Sequence, residues 1–292
     1  MTYRIAKPGD IIVEAQKAYP GSFHEKVASS PLMDEFYRKA IRMSGIAELI
    51  ERSDRTVTVV DVCGGRGRVG EILKEMTKKE FSYVVVDISM RELGKDRWKD
   101  RIIGDATHIP LANATADAVF FLNMPVPTSM VERRVARMKP GSTQEVEERW
   151  EIAENLRKAG DALYNLNILE GIRVLKPGGS LLVGAKYTGQ TRKDKEKWAE
   201  NLPLTVDRVE RAELDSRVIP LWRNYGVDIN ESVFSITSFT KTHGEIGKLV
   251  GEMQGELERR LDTLSETKTF ERILEEMKKE MEAKSRDLDE LQ

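Results

Sequence analysis

Three carboxylates in this 292-residue chain stand in or just after short apolar runs. Asp61 lies in Val57-Thr-Val-Val-Asp-Val62, directly ahead of the turn Cys63-Gly-Gly-Arg-Gly67. Asp87 closes Tyr83-Val-Val-Val, and Asp105 sits in Gly104-Asp-Ala106, just after Arg101-Ile-Ile103. A glycine-rich turn after a buried strand lets the backbone approach a ligand and take positive φ without steric cost. An acid at the end of the neighbouring strand can accept both ribose hydroxyls of a nucleoside. An acid after the next strand can accept the exocyclic amine of adenine. A fourth feature is the turn Ile109-Pro-Leu-Ala-Asn-Ala-Thr-Ala-Asp117, which leads into Ala118-Val-Phe-Phe. All four are read at carboxyl ends of strands or just after them, where open α/β sheets bind ligands. Each acid alone reads more readily as a helix N-cap than as a ligand contact. Three in succession point to a nucleoside site.

The elements that must position these residues alternate. Strands are expected over Thr56–Val62, Ser82–Asp87, Arg101–Ile103, Asp117–Leu122 and Ser180–Tyr187. Helices are expected over Glu35–Glu51 with Asp34 as N-cap, Arg68–Lys79, Met90–Lys99 and about Thr143–Leu175, and a short one over Ile11–Tyr19. The first, second and fourth strands are nearly continuous apolar runs, as befits strands buried on both faces of a parallel sheet. The alternation argues for a doubly wound α/β domain. Beyond Tyr187, Thr191–Asn201 and Val206–Tyr225 read as helices and Val233–Thr240 as a strand.

Residues 245–292 carry apolar positions every three or four residues. Ile246, Val250, Met253, Leu257, Leu261 and Leu264 form one register; Phe270, Leu274, Met277, Met281, Leu288 and Leu291 form a second. The phase break near Thr267–Thr269 reads as a turn or stutter. Such a stripe suits either a coiled coil that assembles copies of the chain or a helical hairpin folded onto the chain itself.

Lys and Arg number 47 against 49 Asp and Glu, a formal net charge of -2, so wholesale coating of nucleic acid is not expected. Cys63 is the one cysteine, which excludes an intramolecular disulfide and fits a reducing, cytoplasmic setting. No run has signal-peptide or membrane-span character, and no metal site is assigned.

Over roughly residues 35–240 the chain resembles the class I S-adenosylmethionine-dependent methyltransferases. Their first-strand signature is Asp/Glu-x-Gly-x-Gly-x-Gly; here it reads Asp61-Val-Cys63-Gly64-Gly65-Arg66-Gly67, with Cys63 in place of the first glycine. That replacement, with Gly104-Asp-Ala-Thr-His-Ile-Pro-Leu and Asp117-Ala-Val, is similar to the ubiquinone/menaquinone C-methyltransferase branch. Val174-Leu-Lys-Pro-Gly-Gly-Ser-Leu-Leu-Val is a further hallmark. The resemblance implies a seven-stranded, mostly parallel Rossmann-like methyltransferase sheet. It implies an N-terminal helical cap over 1–53, a catalytic domain over 54–242 with an insert about 124–145, and a C-terminal helical extension over 243–292. It also implies roles: Asp61, Cys63, Gly64, Gly65 and Gly67 around the methionine part of S-adenosyl-L-methionine, Asp87 on the ribose, Ile88 lining the adenine slot, Asp105 and Ala106 on adenine, and Asn123 near the methyl group.

A dinucleotide-binding reading competes on the glycine turn and Asp87. It leaves Gly104-Asp-Ala106 and Lys176-Pro-Gly-Gly179 unexplained, and the glycines at 64, 65, 67 and 70 are read as departing from Gly-x-Gly-x-x-Gly. Methyl transfer needs positioning more than acid–base help, so no catalytic residue is assigned; His24, His108 and His243 are named only as candidate bases. Asn123-Met-Pro125-Val lacks the aromatic of the Asn-Pro-Pro-Tyr motif of base methyltransferases. The expected acceptor is a small molecule enclosed by residues 1–50 and the 124–145 insert. The basic run Glu132–Lys139 keeps an RNA or protein acceptor open, and a non-catalytic scaffold assembled through the C-terminal helices is the third reading.

Overall fold

A computed structural model describes residues 30–87, 100–122, 135, 143–186, 191–213, 216–217, 220, 233–244, 246–270 and 272. The expected helices Ile11–Tyr19 and Met90–Lys99 lie outside these residues. Two compact units divide the chain: residues 21–124 with 167–248, and residues 1–20 with 125–166 and 249–292.

The first unit holds the sheet. Its strands are β1 (Thr58–Val62), β2 (Ser82–Asp87), β3 (Asp100–Ile103), β4 (Ala116–Phe121), β5 (Leu175–Lys186), β6 (Leu204–Glu213) and β7 (Val233–Lys241). They lie in the order β3-β2-β1-β4-β5-β7-β6. β1 pairs in parallel with β2 and β4, β2 with β3, and β4 with β5, while β7 runs antiparallel between β5 and β6. The fold is therefore the doubly wound, seven-stranded, mostly parallel Rossmann-like sheet. Val59, Val60, Val85, Val119 and Phe120 are fully buried, because parallel strands are covered on both faces. The chain leaves β1 toward β2 and β3 on one side and reaches β4 on the other, so the switch point lies beyond the carboxyl ends of β1 and β4.

The helix expected over Glu35–Glu51 is two helices, α1 (Asp34–Ser44) and α2 (Ile46–Arg52). Gly45 between them has φ 65°, a left-handed break that glycine takes without penalty. Asp34 is the first residue of α1 rather than its N-cap. Its carboxylate instead accepts two bonds from Arg68, at the start of α3 (Arg68–Met76), at 2.9 and 2.5 Å. The long helix α4 spans Thr143–Val174 and α5 spans Arg192–Ala199. Gly171 of α4 faces Phe121 so closely that a Cβ there would stand 2.5 Å from the ring. The ammonium of Lys241 donates to the carbonyls of Ile172 and Leu175, both at 2.6 Å, which caps the end of α4.

Part of the helix expected over Val206–Tyr225 is strand β6. Val206, Val209 and Ala212 are spaced by three and mimic a helical face. A bulge sets the first interval: the pairing to β7 slips between Val206 and Arg208, which brings Val206 and Val209 to one face, while Ala212, paired with Phe234, lies on the other. Asp207 at the slip accepts from the Thr240 hydroxyl at 2.8 Å.

The second unit is helical where described. Helix α6 (Gly247–Ser265) places Leu261 and Leu264, with Phe270 beyond its end, against Ile152, Leu156, Ala159 and Leu163 of α4. Arg260 donates to Asn155 at 3.2 Å, and the Thr269 hydroxyl to Glu148 at 2.6 Å. The helix stops at Ser265, where the sequence changes register. This stretch of the stripe is thus buried within the chain, and the second register from Leu274 onward lies outside the described residues. Among the described residues no helix is long and apolar enough to cross a membrane.

Candidate functional site

The glycine turn joins β1 to α3 at the switch point. Cys63 has φ 58°, Gly65 φ 52° and Gly67 φ 75°. Positive φ at the two glycines costs little, whereas at Cys63 it carries a penalty of about 1 kcal/mol. Glycine would fit this backbone conformation best, and Cys63 adopts it at that penalty. The Cys63 amide donates to the Val86 carbonyl at 2.8 Å, which ties the turn to β2. Gly64 sits directly over Asp61: a Cβ there would stand 2.5 Å from its carboxylate.

Asp61 is buried, and its carboxylate accepts a hydrogen bond from the Tyr83 hydroxyl. Burial pushes Asp61 up from 3.8 to about 7; the Tyr83 bond pulls the other way, and the charge of Asp87 adds to the rise. Asp87 is buried too, and accepts from the Gly65 amide at 3.0 Å. Its main-chain carbonyl accepts from Gly104 at 3.1 Å, which brings the Gly104-Asp-Ala106 loop beside it. Asp105 is exposed, and one of its oxygens accepts from the Thr107 amide at 2.8 Å, so part of its role is to shape its own turn. Cys63 senses all three acids. Burial first, then the charges of Asp87, Asp61 and Asp105, raise its thiol well above the ordinary range, which favours the neutral thiol over the thiolate.

The structure thus brings together Asp61, Cys63, Gly64, Gly65, Gly67, Asp87, Asp105 and Ala106. Ile88 and Asn123 lie outside the described residues, as do His24 and, apart from Val135, the basic run 132–139. His108 is exposed, and its amide donates to the Asp105 carbonyl at 2.9 Å. His243 follows β7, which runs against the other strands, so it stands at the far end of the sheet from the turn and cannot serve there as a base.

Two sequence readings change. Asp117 belongs to the amino end of β4, opposite the glycine turn. It accepts from the Thr58 amide at 2.9 Å, from Arg55 at 2.8 and 2.5 Å, and from Lys176 at 3.0 Å. Burial alone would raise it, but these donors, led by Arg55, hold it down at about 2. The Lys176-Pro-Gly-Gly turn is the other half of this clamp: Gly178 has φ 76°, and a Cβ on Gly179 would stand 2.9 Å from the Asp117 carbonyl. A concavity of about 470 Å³, lined by Arg42, Asp117, Ser180, Arg208 and Thr240 among others, also lies at this end, away from the carboxylates of the turn.

The second change concerns spacing. Gly65, Gly67 and Gly70 do fit Gly-x-Gly-x-x-Gly. Gly70 plays the packing part of that pattern's third glycine, since a Cβ would stand 2.5 Å from the Tyr83 ring. Glycine spacing therefore does not separate the two nucleotide readings. What sequence reasoning missed is the support behind Asp105. Glu170 and Arg173 of α4, i and i+3 on one helix face, bind the loop that follows Asp105. An acid–Arg pair just before Lys-Pro-Gly-Gly was the available signal.

No family model and no curated protein matches the sequence. Solved structures share its architecture at low identity. The N-methyltransferase NodS from Bradyrhizobium japonicum WM9 is 13% identical, with a TM-score of 0.45 over 73% of this chain and 98% of its own. The [4+2]-cyclase SpnF is 13% identical, with a TM-score of 0.45 over 72% of this chain and 81% of its own. A candidate RNA methyltransferase from Pyrococcus horikoshii is 15% identical, with a TM-score of 0.48 over 81% of this chain and 98% of its own. Likenesses at this level describe strands and helices and leave the reaction to be argued from the site.

Proposed function

We propose that the protein is an S-adenosylmethionine-dependent methyltransferase acting on a small-molecule acceptor. The observation that carries the reading is the ring of acids around a glycine turn: Asp61 beneath it, Asp87 bonded to Gly65, and Asp105 across from Cys63. A dinucleotide presents a diphosphate to such a turn, and the carboxylates of Asp87 and Asp105 oppose it. A sulfonium with an α-amino group is cationic at both points, and the same acids favour it. When bound, S-adenosylmethionine supplies an electrophilic methyl group on that sulfur.

The rest is the work of the chain. The Cys63–Gly67 backbone holds the amino-acid part close to α3. Asp87 turns its carboxylate to the ribose hydroxyls while Gly65 fixes one of its oxygens. Asp105 and Ala106 meet the adenine edge. A neutral sulfur leaves, so no acid need assist, and rate follows from holding the acceptor in line with the methyl group. The formal charge of -2 favours a small acceptor over a polyanion.

Calorimetric titration tests the reading. S-adenosylmethionine is expected to bind in the micromolar range, with NAD at least a hundredfold weaker. Tighter NAD binding would favour a dinucleotide enzyme, to which the Gly65-x-Gly67-x-x-Gly70 spacing is also suited. No binding of S-adenosylmethionine at millimolar concentration would overturn the proposal.

A further inference from the structure

Among the described residues, the segment from Ile109 to Thr115 has little secondary structure, yet it is held by a buried ion pair at the end of α4. Glu170, buried, accepts from the Ile109 amide at 3.0 Å and from Arg173 at 2.9 and 2.8 Å. Arg173 also donates to the carbonyls of Ile109 at 2.6 Å and Leu111 at 2.7 Å, and to the Asn113 side chain at 2.9 Å. A guanidinium has five N–H donors, and these five bonds engage them all. The Ala114 amide adds a bond to the Arg173 carbonyl at 3.1 Å. Such saturation, with charged partners on both sides, makes a stiff mount.

The mount bears on Asp105 by two short routes. His108 precedes Ile109 and donates its amide to the Asp105 carbonyl at 2.9 Å. Pro110 follows Ile109 and lies against Gly104, where a Cβ would stand 3.1 Å from the proline ring. The loop that carries Asp105 and Ala106 is thereby gripped at both ends. Asp105 itself is exposed and cannot hold its own position through burial.

We infer that Glu170 and Arg173 are positioning residues that set the pose of Asp105, and with it the protein's discrimination for adenine over other purines. The inference rests on the cofactor reading above. An exocyclic amine donates to a correctly placed carboxylate, whereas the carbonyl of hypoxanthine at the same place repels it. A loosened mount lets Asp105 move aside, so the penalty on the wrong base falls together with the affinity for the right one.

The experiment compares binding of S-adenosylhomocysteine and S-inosylhomocysteine to the full chain and to Arg173→Lys, Glu170→Gln and Asp105→Asn. Wild type is expected to prefer the adenosyl ligand by about a hundredfold, in the range of sites that hydrogen-bond their substrate. Arg173→Lys and Glu170→Gln are each expected to cut that ratio about tenfold, Asp105→Asn is expected to abolish it, and either mount substitution added to Asp105→Asn is expected to change nothing further. If wild type binds neither ligand, the cofactor reading fails and this inference with it. If wild type binds and discriminates, but a folded Arg173→Lys and Glu170→Gln both keep the ratio within twofold, the pair serves stability alone and the inference is overturned.

Discussion

Asp61 offers the sharpest test, because its burial sets a measurable dependence of stability on pH. Its folded value of about 7 lies above its ordinary 3.8. A raised value means that the folded state holds the proton more tightly than the unfolded chain. The contribution to stability is therefore full below about pH 4 and is lost as pH rises through 7. At about 1.4 kcal/mol per pH unit over about three units, the loss is on the order of 4 kcal/mol. Asp61→Asn keeps an acceptor for the Tyr83 hydroxyl and removes the titration. Urea denaturation of both proteins, without ligand, from pH 4 to pH 8 reads Asp61 and its coupling to Asp87 and Cys63, since groups distant from it cancel in the difference. The variant is expected to gain on wild type steadily across that range and to level off above pH 7. A difference that stays constant within 0.5 kcal/mol would show that Asp61 is ionised throughout, and would refute the argument from burial. A bound sulfonium adds a nearby positive charge and should lower Asp61, so binding at pH 7 should release up to about half a proton per site. Titration in buffers of different ionisation enthalpy reads that release.

Four further outcomes are expected. Asp87→Ala should weaken S-adenosylmethionine binding by about 1–3 kcal/mol, the worth of hydrogen bonds to a charged group, as read by calorimetry. Cys63→Gly should leave stability nearly unchanged, while Cys63→Val should cost about 1–2 kcal/mol, because a branched side chain resists a φ of 58°; thermal melts distinguish them. Gly70→Ala should cost about 1–3 kcal/mol through overpacking against Tyr83, seen in urea melts. Asp117→Ala should cost about 1–3 kcal/mol, because the Thr58 amide and the partly exposed Arg55 and Lys176 lose their shared acceptor, yet leave cofactor affinity within twofold, because the clamp lies at the other end of the strands.

Much of the fold is legible along the chain because buried parallel strands announce themselves. Tyr83-Val-Val-Val-Asp87 and Ala118-Val-Phe-Phe are apolar on both faces, and the structure buries them on both faces. Where a strand leaves that regime, the pattern misleads. β6 is an edge strand with a bulge, so its apolar residues, shared between its two faces, fall three apart and imitate a helix. The break at Gly45 was likewise invisible in periodicity, since an apolar stripe can continue across a left-handed residue.

Legibility of the site follows a different rule. The order of acids after successive strands located it, because topology alone brings the carboxyl ends of β1, β2 and β3 together. Glycine spacing was a weaker guide than it looked: Gly65, Gly67 and Gly70 fit the dinucleotide pattern, and only their neighbours distinguish the readings. Gly64 covers an acid that prefers its proton, and Gly65 donates to one that is buried. On the function proposed above, the carboxylates of Asp87 and Asp105 beside the turn favour a cation over a diphosphate. The clamp at Asp117 shows the converse. Its acid was read with the others because it follows the same loop, but six residues of β4 carry the chain from one end of the sheet to the other. Asp117 at the amino end of its strand ties down neighbouring chain, whereas Asp87 at the carboxyl end of its strand meets the glycine turn, so the same residue type acquires different surroundings from one strand's length.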